Sequence, residues 1–122
     1  MTWQPGRISP LSGYHDREMA FNLDGLYYKD HSLFAVYNAA KHKEENCLLD
    51  YTLNQEGTAI VREKIIDQGN PLFRKPTTIT FMGNDLYLLA VTNIDEYNKN
   101  HDSVHGIEAG LLPVKVMVYS RE

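Results

Sequence analysis

A stretch that reads as a β-hairpin occurs twice in the chain. Residues Leu23–Asn38 return as Pro76–Val91, displaced by 53 positions without a gap. The two copies keep their apolar and aromatic positions, in the pairs Leu26 and Ile79, Tyr28 and Phe81, Leu33 and Leu86, Phe34 and Tyr87, and Val36 and Leu89. In each copy an alternating run ends in a tight polar turn and a second β-rich run follows at once, which indicates two antiparallel strands. The chain is therefore predicted to contain two related hairpins.

Two further strands are predicted after the first hairpin. Cys47–Leu53 alternates apolar side chains on one face, Asn54–Thr58 supplies a turn with a glycine, and Ala59–Asp67 forms the next strand. The first unit, residues 23–68, is therefore predicted to be a four-stranded antiparallel sheet.

The second unit, residues 76–120, is predicted to stop one strand short. After its hairpin and a long polar loop, Pro113–Ser120 supplies a third strand with alternating valines. A short N-terminal strand within residues 1–13 lies between Pro5 and Pro10, which suits an edge position because proline donates no hydrogen bond to a ladder. We expect this strand to close the second unit.

Four-stranded units of this length have the size of a β-propeller blade, about 40 to 50 residues. The predicted fold is therefore all-β, a single domain over residues 1–122 made of two four-stranded antiparallel blades. Two blades cannot close a ring, since propellers contain about four to eight, and open apolar blade faces need cover. We expect copies of the chain to supply it: a homotrimer forming a six-bladed ring is favoured, and a homodimer with four blades is the alternative.

Composition excludes several classes of partner. Sixteen acidic and twelve basic residues give a formal charge of −4, so the basic surface that nucleic acids require is not expected. No apolar run approaches the roughly 20 residues needed to cross a bilayer, and Met1–Ser9 lacks the apolar centre of a signal peptide. We therefore predict no membrane partner and a cytoplasmic location. The single Cys47 lies in an apolar run and is predicted to be a buried side chain rather than a nucleophile.

Three segments carry a family resemblance. They are DGLYYKDHSLFAVYNA from Asp24, LLDYTLNQEGTAIVREKIID from Leu48 and NPLFRKPTTITFMGNDLYLLA from Asn70. They resemble the last two blades of six-bladed propellers in the gluconolactonase, senescence marker protein and NHL-repeat group. The likeness covers Leu23–Tyr119 apart from the long loop after Ile94. Because members of this group carry six blades in one chain, the resemblance implies either a self-assembling remnant or a fragment of a longer propeller.

Strand direction predicts where a binding site lies. Consecutive antiparallel strands reverse, so the entry to the first strand of a blade and the exit from its second lie at the same end. The long loops gather at this end, and loops on a rigid scaffold commonly carry binding residues. The candidate residues for a small polar ligand at this end are Asn38, Thr77, Thr78, Asn93 and His15, together with Asp24.

The resemblance also implies chemistry at that end. Propellers of this group with lactonase activity hold a divalent cation, usually calcium, with acidic and asparagine oxygens, and Asp24 and Asn38 match those ligands. The metal polarises a lactone carbonyl while an acid manages the proton, a catalytic role that would fall to Asp24. The second blade departs from the pattern, because Val91 stands at the asparagine position and Thr77 at the acidic one.

These observations leave alternative functions. The first is a propeller subunit that binds a small polar ligand and performs metal-assisted hydrolysis of a lactone or ester. The second is a non-catalytic scaffold or binding module, which the missing second asparagine favours, and the third is a truncated fragment. His101, Asp102 and His105 have a spacing that could suggest a metal site, but their neighbours are typical of a solvated loop.

Overall fold

The described part of the chain forms two antiparallel sheets. The structure, a computed structural model, describes residues 11–12, 23–39, 42–92 and 114–120. The first sheet has the strand order β1 Leu23–Lys29, β2 Ser32–Tyr37, β3 Cys47–Leu53 and β4 Ile60–Gln68, with a 3₁₀ helix at Lys43–Glu45 between β2 and β3. The second has the order β5 Ile79–Met82, β6 Asp85–Val91 and β7 Lys115–Ser120. The all-β prediction is confirmed.

The repeated hairpins have the same register. Lys29 lies opposite Ser32 at the first turn, and Met82 lies opposite Asp85 at the second, 53 positions later. The first turn places both central residues, Asp30 and His31, at positive φ, 52° and 63°. In the second hairpin Gly83 takes a φ of 60° at the first central position. Turns with positive φ at these positions match the twist of the flanking strands, so both hairpins close tightly.

The two sheets pack face to face, and each has a front and a back that the 53-residue repeat defines. We call the side of β2 that carries Leu33 and Ala35 the front of the first sheet, and the side of β6 with the corresponding Leu86 and Leu88 the front of the second. The front of the second sheet packs on the back of the first. The resulting inter-sheet core contains Phe34, Val36, Leu48, Phe73, Ile79, Leu86, Leu88 and Ala90, all buried. Successive side chains along a strand point to opposite faces, which is why one strand supplies both a front and a back.

Two contacts fix the spacing of the sheets at their edges. At the β1 and β5 edge, Gly25 lies against the backbone of Thr77 so closely that a Cβ at position 25 would overlap the Thr77 carbonyl oxygen. At the β4 and β7 edge, the Tyr119 hydroxyl donates a 2.8 Å hydrogen bond to Oδ2 of Asp67. Backbone meets backbone at the first edge, whereas a whole tyrosine side chain spans the second. The sheets therefore diverge from the first edge to the second.

The front of the first sheet is buried at its centre and exposed at its margin. Ala35 and Leu49, on the central strands, have no exposed surface, and they belong to a second buried cluster with Tyr51. Leu26 and Tyr28, on the edge strand β1, are 57% and 58% exposed.

The predicted N-terminal strand lies mostly outside the described residues. Ser12 forms a parallel bridge with Ala59, and its carbonyl oxygen accepts a 2.9 Å hydrogen bond from the Ile60 amide. Ser12 therefore lies beside the start of β4, next to the first sheet. Closure of the second sheet by residues 1–13 stays a prediction. No helix in the described ranges has both the length and the apolar character required to span a membrane.

Gly25→Ala is expected to destabilise the fold. The added methyl group would overlap a backbone carbonyl that cannot rotate away, so the unfolding free energy should fall by about 1–3 kcal/mol. Gln55→Ala is the control, because Gln55 is an exposed residue of the β3 to β4 turn; it should change stability by less than about 0.5 kcal/mol. Urea unfolding measures both variants. Equal stability of Gly25→Ala and wild type would contradict the described contact between the sheets.

Candidate functional site

Four of the predicted site residues lie at one end of the paired hairpins. Asp24 is on β1, and Asn38 follows directly after β2. The Thr77 amide donates to the Leu89 carbonyl oxygen at 3.2 Å, and the Thr78 carbonyl oxygen accepts from the Leu89 amide at 2.9 Å. Both threonines therefore lie beside β6 at the entry to β5. Contact between the two hairpins at Gly25 brings this pair next to Asp24.

Asn38 has a structural role at this end. Its Nδ2 donates a 3.2 Å hydrogen bond to the carbonyl oxygen of Pro76, which links the first sheet to the segment that leads into β5. This bond fixes the amide plane of the half-buried side chain, so the Oδ1 atom has a defined direction. In the second hairpin Thr92 makes a comparable link, because its buried hydroxyl donates to the Lys75 carbonyl oxygen at 3.0 Å. The end of each hairpin is therefore held by a polar side chain.

Asp24 and Thr78 are exposed, whereas Thr77 is half-buried. Solvent and small molecules can thus reach the Asp24 carboxylate and the Thr78 hydroxyl. Asn93 and His15 lie outside the described residues. The same holds for the loop residues His101, Asp102 and His105.

A metal at this end would need ligands beyond those the described residues bring together. Asp24 and Asn38 supply side-chain oxygens from one chain, while calcium takes about six to eight oxygen ligands. Within the described ranges, no group of three or more His, Cys, Asp or Glu side chains is arranged to hold a metal ion. Calcium binding at Asp24 and Asn38 therefore stays a prediction.

Sequence reasoning missed a second polar position, Asp50 on β3. This residue is 8% exposed and lies on the back of the first sheet, opposite Phe34 of β2. Alternation along β3 separates Asp50 from the apolar face of Cys47 and Leu49, so the sequence alone did not mark Asp50 as an inward residue. A buried carboxylate requires compensating donors, and its surroundings therefore have functional interest.

Cys47 is a buried thiol, as the sequence predicted. It is 1% exposed. Burial raises its pKa to about 12, with further contributions from the negative charges of Glu63 and Asp67. Because the thiolate is the reactive form, this environment keeps the side chain unreactive at neutral pH.

No protein-family model, curated protein or solved structure matches this chain. The resemblance to the gluconolactonase group therefore stays a prediction from sequence. Function must be inferred from the arrangement of the two sheets and from the polar side chains between and beside them.

Alkylation of Cys47 by iodoacetamide at pH 8 is expected to be roughly a thousandfold slower in the folded protein than in urea, since the pKa is raised by about three. The raised pKa also stabilises the fold below pH 9, and this contribution is lost as the pH rises towards 12. Unfolding free energies of wild type should therefore fall more steeply over pH 9 to 12 than those of Cys47→Ala. Rapid alkylation of the native protein would contradict the buried environment.

Proposed function

We propose that the chain is a subunit of a β-propeller built from several copies, and that the assembled ring presents a polar site for a small ligand. The observation that carries this proposal is which face of each sheet packs on the other: the front of the second sheet lies on the back of the first. The shift of 53 residues that relates the hairpins also relates the front of the first sheet to the front of the second. Because the second sheet packs its front on the back of the first, the first sheet of another copy could pack its exposed margin, which carries Leu26 and Tyr28, on the back of the second.

The exposed apolar side chains support this arrangement. On the back of the second sheet, Met82, Val116 and Val118 are 70%, 56% and 52% exposed. On the opposite outward face, the margin of the first sheet exposes Leu26 and Tyr28. Copies joined head to tail would cover both surfaces with one kind of contact, and a closed ring would satisfy every copy. A homotrimer with six sheets is the favoured assembly, and a homodimer with four sheets is the alternative.

Static light scattering coupled to size-exclusion chromatography tests the assembly. Wild type is expected to have three times the 14.0 kDa mass of one chain. The double variant Val116→Lys/Val118→Lys should be monomeric, because it places two charges in the proposed contact. Leu72→Lys, which changes a 52% exposed leucine in a loop, is the matched control and should keep the wild-type mass. A folded wild-type monomer would overturn the proposal.

The ligand site would lie where Asp24, Asn38, Thr77 and Thr78 meet. In a propeller the first strands of the blades surround the axis, so β1 and β5 of each copy would bring these side chains to the pore. Three Asp24 carboxylates close to one axis would favour a bound cation, because like charges at short range destabilise one another. Metal-assisted hydrolysis of a lactone is the activity that such a centre would support.

A non-catalytic binding ring is the second candidate. It is favoured by the second hairpin, where Val91 takes the position of Asn38 and offers no side-chain oxygen. In either case the free thiol of Cys47 agrees with a cytoplasmic location, where thiols remain reduced.

Calcium titration by calorimetry tests the metal site. Wild type is expected to bind calcium at least about tenfold more tightly than Asp24→Ala, because a carboxylate ligand is lost. Glu56→Ala removes an exposed acid from the β3 to β4 turn and should bind calcium as wild type does. Turnover of glucono-δ-lactone by the calcium-loaded wild type then separates the hydrolase from the binding ring. Equal calcium affinity of wild type and Asp24→Ala would remove Asp24 from the site.

A further inference from the structure

A cleft of about 370 Å³ lies between the two sheets, on the side where they diverge. Its apolar wall includes Phe34 from the first sheet and Phe81 from the second. Lys64 and Asn84 also line it, and both are exposed, so the cleft opens to solvent. The volume is at the lower end of the range for ligand pockets, about 300 to 1,000 Å³. A small molecule would therefore fit.

The buried polar group in this cleft is Asp50. Its side chain is more than nine-tenths buried, and within the described part of the chain its Oδ1 atom has no hydrogen-bond partner. Leaving a buried carboxylate oxygen without a donor is costly. Native proteins rarely keep such an atom without a structural or functional reason. A ligand that brings a hydrogen-bond donor would remove this cost.

Lys64 does not provide that donor in the structure. It lies opposite Asp50 on the neighbouring strand β4, but its side chain is exposed and Oδ1 of Asp50 is left without a partner. The cleft therefore has a positive charge at its opening and, on its buried wall, a carboxylate oxygen without a donor. A ligand that fills the cleft would combine a donor for this oxygen with an apolar body against the aromatic side chains.

The unsatisfied carboxylate of Asp50 favours a cationic donor, and the aromatic wall suits the apolar body attached to it. The rings of Phe34 and Phe81 meet edge to face, with 4.7 Å between their centroids. The ammonium of Lys29 already lies 5.2 Å from the centroid of the Phe81 ring, which shows that this ring has a cation near it. Aromatic rings attract cations through the negative charge of their faces.

We propose that the Asp50 cleft binds a small organic amine. The ammonium group donates a hydrogen bond to Oδ1 of Asp50, and the apolar body lies against Phe34 and Phe81. The cleft lies within one chain, so this proposal goes beyond the proposed ring function and does not depend on assembly.

Calorimetric titration of the 122-residue chain with three matched probes tests the proposal. 2-Phenylethylamine should bind, 2-phenylethanol should bind at least about tenfold more weakly, and 3-phenylpropionate should not bind measurably. Asp50→Asn, which keeps the shape of the side chain, should weaken amine binding about tenfold to a hundredfold, as expected for loss of a charged hydrogen-bond acceptor. Lys64→Met is the control and should bind the amine at least as tightly as wild type, since a like charge is removed.

Several results would overturn the proposal. Equal affinity for the three probes would show that the cleft recognises only apolar bulk. A preference for 3-phenylpropionate that is lost in Lys64→Met would show an anion site. No binding of the amine at millimolar concentration would exclude the site. The titrations of the three probes use the wild-type chain, so they do not depend on whether a variant folds.

Thermal unfolding tests the remaining alternative, that Asp50 pairs with Lys64 in solution. The proposal predicts that Asp50→Asn is at least as stable as wild type, because an unsatisfied buried charge is removed. If Asp50→Asn and Lys64→Met each lowered stability and the double variant lowered it no further, the two side chains would be coupled. That outcome would assign the carboxylate to a structural ion pair and overturn the proposal.

Discussion

The packing of the second sheet's front on the first sheet's back is the contact on which the other features depend. It buries the apolar side chains of β2 and β6 in one core. The distance between the two sheets is set where Gly25 meets the backbone of Thr77. Only a residue without a Cβ allows these two backbone segments to come so close. Sheets that touch at one edge and twist apart leave room at the other. That room contains the Tyr119 bridge to Asp67 and the Asp50 cleft.

This divergence separates two polar regions with different accessibility. At the touching edge, Asn38 is held by its bond to Pro76, and the exposed Asp24 carboxylate lies close by. On the side where the sheets diverge, the buried carboxylate of Asp50 lines a cleft with Phe34 and Phe81. In the proposed ring the first region would gain ligands from neighbouring copies, because it is at an end of the sheets. The second is complete within one chain, because both of its walls come from the same molecule.

The sequence predicted well which neighbouring strands pair. It predicted poorly which face of each strand is buried. The 53-residue repeat predicted both hairpins, and Cys47–Leu53 forms β3 with the predicted bounds. Alternation separates the two faces of a strand, but it does not say which face another sheet covers. Val116 and Val118 share a face as predicted and are nevertheless exposed. Asp50 is buried on the back of the first sheet, the face on which the second sheet packs, and Phe81 of that second sheet lines the same cleft.

A comparison of two carboxylates on the back of the first sheet supports a ligand at Asp50. Oδ2 of Asp67 accepts hydrogen bonds from the Tyr119 hydroxyl at 2.8 Å and from Nδ2 of Asn70 at 2.9 Å. Burial, together with the hydrogen bond to Asp67, raises the pKa of Tyr119, so its hydroxyl keeps the proton that it donates. The fold thus supplies two donors to one inward-facing carboxylate and, within the described residues, none to Oδ1 of the other. The same face satisfies Asp67 with side chains of the chain itself, and at Asp50 the corresponding donor is the one that the proposed amine would supply.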